Sequence, residues 1–107
     1  IVYQLDLARK RLLSRTKMTD TRRAIVAAIV EAKPSIERTE ALISVMVGER
    51  KEATFRTRQL ALDALAPSVG TNLRVRGAVE QVASHDGAKV LQQRAEGILQ
   101  AHPDKPN

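Results

Sequence analysis

The chain has 107 residues, of which 43% are hydrophobic, so it is expected to form one small domain with an apolar core. It has no Cys, which excludes a disulfide scaffold, a thiolate metal site and a Cys nucleophile, and no apolar run approaches the ~20 residues of a transmembrane helix. Its net charge is +6, which favours anionic partners, while aromatic residues make up only 2% of the chain, which argues against stacking of single-stranded bases.

Turn residues and prolines divide the chain into about six short predicted helices. The first is predicted over residues 2–15, where apolar residues recur at helical spacing, at Val2, Leu5, Ala8 and Leu12. After a connector over residues 14–19, Asp20 is expected to cap the second helix, residues 21–32. Residues 24–30 are apolar on every face of that helix, which predicts that it is buried on most sides.

The third and fourth helices are bounded by clear capping and stop signals. Ser35 is expected to cap the third helix, residues 36–47, and Gly48 to end it. The fourth ends at Ala66, before Pro67. In the third helix, helical spacing is kept by the apolar residues Ile36, Ile43, Met46 and Val47, with Leu42 beside them. In the fourth, one face is marked by Phe55, Leu62 and Leu65.

The fifth and sixth helices are predicted over residues 73–84 and 88–101, with Asn72 or Thr71 capping the former and an Asp86-Gly87 turn between them. Their predicted buried residues are Val75, Ala78, Val79 and Val82, then Leu91, Ala95, Ile98 and Leu99. No segment alternates with period two, so the fold is expected to be all-α with antiparallel neighbours.

Residues 1–102 are expected to form a single domain, followed by a polar tail over residues 103–107. Residue 1 is Ile and no signal peptide is visible, so we expect a domain cut from a longer protein, or a processed one. The lack of Cys leaves the compartment open, and a cytoplasmic location is the working expectation.

An arginine recurs near the start of several helices, each time followed by an Ala-rich apolar stretch, at Arg22, Arg38, Arg58 and Arg76. The intervals are 16, 20 and 18 residues, about one helix plus a turn, so two helices make a unit of helical-hairpin size. Such an arginine is expected to lay its stem along the neighbouring repeat while its head group stays in water.

Residues 72–83, Asn-Leu-Arg-Val-Arg-Gly-Ala-Val-Glu-Gln-Val-Ala, resemble the inter-helix turn and second helix of a HEAT-type repeat. That family often has Val-Arg followed by an Ala-rich helix. The chain departs from it because the Asp-Pro of the turn is absent and the Arg-to-Ala pattern falls on nearly every helix. The resemblance implies an α-solenoid fragment that binds a partner along one surface and is not a catalyst. A compact helical bundle stays open as the alternative fold.

The sequence gives no candidate catalytic or metal-binding residues, no cofactor motif and no sign of a small-molecule substrate. Ser84, His85 and Asp86 are consecutive, and adjacent side chains point apart instead of converging as a triad requires. The spacing of His85, Asp86 and His102 fits no zinc pattern, and the five glycines form no phosphate-binding loop.

Basic residues are the candidate contacts for an anion or a partner. They are Arg9, Lys10, Arg11, Arg15, Lys17, Arg22, Arg23, Arg56, Arg58, Arg74 and Arg76. We expect a protein partner. The alternative is a nucleic-acid-binding domain that contacts phosphates, which requires a continuous basic surface from the first helix to Arg76 and steep salt dependence. The first helix could also lie on a membrane surface.

Overall fold

The computed structural model describes residues 20–48 and 54–103, which contain five α-helices, one 3-10 turn and no strand. The helical residues 20–31 (α1) are followed by α2 (Ile36–Val47), α3 (Phe55–Leu65), a 3-10 turn (Ala66–Ser68), α4 (Leu73–His85) and α5 (Lys89–Ala101). This part of the chain is all-α, as predicted, and none of its helices is long and apolar enough to cross a membrane. The predicted first helix, the connector after it and residues 104–107 lie outside the described residues.

Several predicted helix boundaries are confirmed because local side chains satisfy the free backbone groups at the helix ends. The Ser35 hydroxyl accepts a hydrogen bond from the backbone N–H of Arg38 at 3.0 Å, which caps α2. Gly48 ends α2 in the left-handed region, with φ 75°. The Asn72 side-chain oxygen accepts from the backbone N–H groups of Arg74 and Val75, at 2.9 and 3.2 Å, and caps α4.

The prediction that Asp20 caps the second helix is wrong. Residue 20 is itself helical, so Asp20 lies inside α1 instead of ahead of it. Asp is favoured both at the cap and near the start of a helix, since its charge suits the positive end of the helix dipole. The residue type alone therefore did not fix this boundary.

The prediction that α1 is buried on most sides is also wrong. Val26 is buried and Ile29 and Val30 pack partly against the core, but Ile25 is 56% exposed. The alanines of this stretch are exposed as well, at Ala24, Ala27 and Ala28. Alanine has too small a side chain to require burial, so an Ala-rich run did not reveal which sides of the helix are covered.

The four helices α2 to α5 form two hairpins that pack side by side. Helix α2 pairs with α3, and α4 pairs with α5; α2 then lies along α4, and α3 along α5. The first residues of α2 and α4 line one common depression, and their last residues line another, so these two helices run parallel. Among these four helices, α2 and α4 therefore form one layer and α3 and α5 form a second.

The core lies between these two layers and consists of aliphatic side chains. Its fully buried members include Leu42, Met46, Leu62, Leu65, Val69, Val75, Val79 and Leu91. The predicted buried faces of α4 and α5 are thus largely confirmed, although Ile98 and Leu99 are only half-buried. Ile36 and Phe55, which belong to the apolar patterns of α2 and α3, are exposed, and each is the first residue of its helix.

Candidate partner-binding surface

Three of the recurring arginines bind the carbonyl oxygens at the ends of neighbouring helices. Arg38 donates from Nε to the Ile29 carbonyl at 3.2 Å and from Nη2 to the Val30 carbonyl at 2.9 Å. Arg58 donates from Nε to the Met46 carbonyl at 3.0 Å. The last carbonyls of a helix have no partner within it and carry its negative dipole end, so a guanidinium is well suited to satisfy them.

Arg76 makes the same kind of contact between the two helices of the second hairpin. Its Nη1 donates to the His102 carbonyl at 2.8 Å, just after α5 ends, and its Nε donates to Glu80 at 3.1 Å. The Arg76 side chain is only 8% exposed. The expectation that these arginine head groups stay in water is therefore wrong, because helix ends supply acceptors inside the fold.

Arg58 also joins the two hairpins through Asp86. Its two terminal nitrogens bind the two carboxylate oxygens of Asp86, the residue that follows α4. Oδ1 of Asp86 also accepts from the backbone N–H of Ala88 at 2.9 Å, which orders the turn before α5. Arg58 thus contacts the end of α2 and the residue that follows α4 at once, which assigns it a structural role.

The other predicted contact residues are spread over different elements. Arg22 and Arg23 are half-buried on α1, and Arg56 is exposed on α3. The residues of the first predicted helix, Arg9, Lys10, Arg11, Arg15 and Lys17, lie outside the described residues. Arg58 and Arg76 are bound to internal acceptors, and Arg74 is paired with Glu40.

Two exposed ion pairs connect equivalent helices of the hairpins. Arg74 of α4 binds both carboxylate oxygens of Glu40 on α2, at 3.0 Å each, and Arg94 of α5 binds Asp63 on α3 at 2.5 Å. The hydrogen bonds from Arg74, aided by its charge, lower the pKa of Glu40. The hydrogen bond to Asp63 raises the pKa of Arg94.

A shallow groove, which we call the α2–α4 groove, runs between the first helices of the two hairpins. Its central part is lined by Ile43 and Val47 on α2 and by Leu73, Gly77, Ala78 and Gln81 on α4. The Glu40–Arg74 pair lies across the groove near the end where both helices begin. The 12 residues of α2 give the groove a length of about 18 Å.

Large apolar side chains are exposed where the α2–α4 groove begins. Ile36 is 80% exposed and Leu73 is 59% exposed, and each is the first residue of its helix. Exposed apolar residues gathered beside a groove with a polar rim are typical of surfaces that bind another molecule. A second groove, between α3 and α5, is lined by Asp63, Ala66, Arg94, Gly97, Ile98 and Ala101.

Gly77 lies in the α2–α4 groove in the interior of helix α4. A Cβ added there would meet no atom within 4 Å, so no neighbour within the described residues requires glycine. Glycine in a helix interior is less favourable than alanine. Open space beside Gly77 would let a bound chain approach the α4 backbone closely. Gly77 is not among the contact residues predicted from the sequence, where its one signal is a glycine inside an otherwise regular helical pattern.

The residues considered for a catalytic triad lie at the end of α4 and in the turn after it. Ser84 and His85 are exposed at the end of α4, while Asp86 binds Arg58 and the Ala88 backbone. Within residues 20–48 and 54–103, no group of three or more His, Asp or Glu side chains could hold a metal ion. The α2–α4 groove itself consists of apolar side chains, a few neutral polar groups and one exposed ion pair.

Comparison with known proteins gives no relative for this chain: no protein-family model matches it, and neither a curated protein nor a solved structure is significantly similar to it. Its candidate function accordingly rests on the geometry described above.

Proposed function

We propose that this chain is a non-enzymatic helical-repeat module that binds a protein partner through the α2–α4 groove. Two hairpins that pack with like helices side by side are what two successive HEAT-type repeats would give. Such a unit can be extended by further hairpins, whereas the alternative, a closed bundle, would surround one central core. The local resemblance of residues 72–83 to a HEAT-type repeat supports the same proposal.

The observation that carries the proposal is the exposure of Ile36 and Leu73 at the entrance to the groove. Both are large aliphatic side chains, exposed by 80% and 59%, although they lie beside a buried aliphatic core. A partner that covered them would gain roughly 25 cal/mol for each Å² of apolar surface removed from water. The polar rim of Ser35, Asn72 and Gln81 could supply hydrogen bonds around that apolar centre.

Site-specific photo-crosslinking in cells of the source organism tests the proposal. A photoreactive phenylalanine analogue replaces Leu73 or Ile36 in the groove, or Gln93 on the exposed surface of α5 as the control. We expect one and the same protein to be captured from both groove positions and not from Gln93. Capture should be lost when Gly77→Leu fills the groove, and the purified captured protein should bind the wild-type chain directly.

Two results would overturn the proposal. The first is capture that does not distinguish Leu73 from Gln93, or that persists in a folded Gly77→Leu variant. The second is tight binding of duplex DNA or structured RNA in fluorescence anisotropy, with a log–log salt slope of several units and loss when Arg9, Lys10 and Arg11 are neutralised. That second result would support the nucleic-acid alternative instead.

A further inference from the structure

We propose that the first predicted helix, residues 2–15, packs antiparallel along an exposed stripe of small and apolar side chains on α1 of the same chain. The proposal is independent of the proposed function, because it concerns α1 and the segment before it instead of the α2–α4 groove. It rests on the stripe that α1 exposes, on the length of the connector before α1 and on a match in residue spacing.

The stripe on α1 consists of Thr21, Ile25 and Ala28, which follow one another at steps of four and three residues and so lie on one side of the helix. All three are exposed, and Ile25 is 56% exposed although it lies in the middle of α1. Val26, the next residue, is buried in the core, so the stripe lies on a different side of α1 from the core. Small side chains on either side of an isoleucine leave a face onto which a second helix can pack closely.

The chain itself supplies a segment that can reach this stripe. Helix α2 pairs with α3 and α4 with α5, which leaves α1 as the helix that precedes the two hairpins. The first predicted helix comes directly before α1, separated from it by the connector over residues 14–19. A connector of this length is typical between antiparallel helices, which are usually joined by about 2–8 residues. The first predicted helix can therefore fold back along α1.

The apolar residues of the first predicted helix mirror the stripe. Counted backwards from the connector, Leu12, Ala8 and Leu5 follow the same steps of four and three residues as the stripe on α1. When the chain folds back at the middle of the connector, the level pairs are Leu12 with Thr21, Ala8 with Ile25, and Leu5 with Ala28. Each level then combines one large and one smaller side chain, which is the arrangement that lets two helices interdigitate.

The same packing keeps the basic residues of the first predicted helix in water. In a helix, Lys10 lies on the side opposite Leu5, Ala8 and Leu12. Its neighbours Arg9 and Arg11 lie on the two flanks. No charge has to be buried in this register, which matters because an unpaired buried charge is costly. The apolar side of the helix is then covered by α1 instead of a membrane surface.

Disulfide trapping tests the register, since the chain has no Cys of its own. Leu5→Cys is combined with Ala28→Cys, the level pair, or with Ala27→Cys as the matched control. Ala27 and Ala28 are both exposed and adjacent, but they point in directions about 100° apart around α1. Equilibration with glutathione should give the level pair an effective thiol concentration at least ~10-fold above that of the control. Equal values for the two pairs would overturn the proposal.

Hydrogen exchange followed by mass spectrometry tests the packing without changing the first predicted helix. We expect residues 2–13 to be protected in the wild-type chain and in Ala27→Asp, and to lose that protection in Ile25→Asp. Circular dichroism checks that both variants keep the rest of the fold. Three results would overturn the proposal: no protection in the wild-type chain, protection only when anionic vesicles are added, or a disulfide that joins two Ala28→Cys chains, which would assign the stripe to a second copy.

Discussion

Arg58 on α3 and Asp86 in the turn before α5 form an ion pair to which each hairpin contributes one charge. The side chains are 16% and 8% exposed, and both make further hydrogen bonds, Arg58 to the Met46 carbonyl and Asp86 to the Ala88 N–H. The pair therefore links the end of α2 to the end of α4 and to the turn that leads into α5.

Removing Arg58 should destabilise the fold strongly. Arg58→Gln leaves the carboxylate of Asp86 poorly compensated and the Met46 carbonyl without its donor, so we expect the free energy of unfolding to fall by about 2–4 kcal/mol. Urea denaturation followed by circular dichroism measures this change. Arg56→Gln, two residues earlier and exposed, is the control and should change stability by less than about 0.5 kcal/mol. Equal effects of the two variants would contradict the structural role of Arg58.

Substitution by alanine should have opposite effects on stability at Gly77, in the groove, and at Gly48, at the end of α2. Gly77→Ala places a methyl group in open space within a helix and should stabilise the protein by about 0.5–1 kcal/mol. Gly48→Ala forces alanine into the left-handed region at φ 75°, against the Arg58 side chain, and should destabilise it by about 1–2 kcal/mol. Thermal unfolding of both variants tests this, and a loss of stability in Gly77→Ala would show that the space is not open.

The exposed ion pair between Arg74 and Glu40 predicts that the Glu40 carboxyl titrates at a lower pH than usual. The hydrogen bonds from Arg74 lower the pKa of Glu40 below its ordinary value. A carboxyl whose pKa is lower in the folded state stabilises the fold above its unfolded pKa, and this contribution is lost as the pH falls through the folded value. NMR titration of the Glu40 carboxyl carbon should show the lowered pKa, and Arg74→Gln should return it to its ordinary range. An identical midpoint in both proteins would rule out the pairing in solution.

Truncating a core side chain should lower the free energy of unfolding, whereas truncating a groove side chain should weaken partner binding. Leu42→Ala removes a fully buried side chain and should cost about 2–5 kcal/mol of unfolding free energy. Ile36→Ala, on the same helix but 80% exposed, should change stability by less than about 0.5 kcal/mol while weakening partner binding. Paired denaturation and binding measurements separate the two effects. A destabilised Ile36→Ala would place Ile36 in the core, contrary to the structure.

The helix boundaries could be predicted because they depend on groups a few residues apart. Ser35 binds the backbone three residues later, Asn72 binds those two and three residues later, and Gly48 adopts a local left-handed conformation. Each signal is contained in a few adjacent residues. The buried side of α4 could also be predicted, since Val75, Val79 and Val82 keep helical spacing.

The hydrogen-bond partners of the arginines, and the exposure of the first residues of the helices, could not be predicted in this way. Arg58 contacts residues 12 and 28 positions away, and nothing near it in the sequence specifies Met46 or Asp86 as partners. Ile36 continues the apolar pattern of its helix but lies at its first residue, where the packing of other helices decides what is covered. The candidate groove depends on how two hairpins meet, and local pattern does not contain that information.

The acceptors that Arg38, Arg58 and Arg76 use are main-chain oxygens, which every amino acid possesses. Substitutions at Ile29, Val30, Met46 or His102 therefore leave these contacts in place, provided the helices still end where they do. As the sequence diverges, only the arginine of each contact needs to be retained. The residues whose carbonyl oxygens it binds are free to vary. A protein extended by copying such hairpins could diverge widely in sequence while a single arginine per junction preserved how each helix end is held.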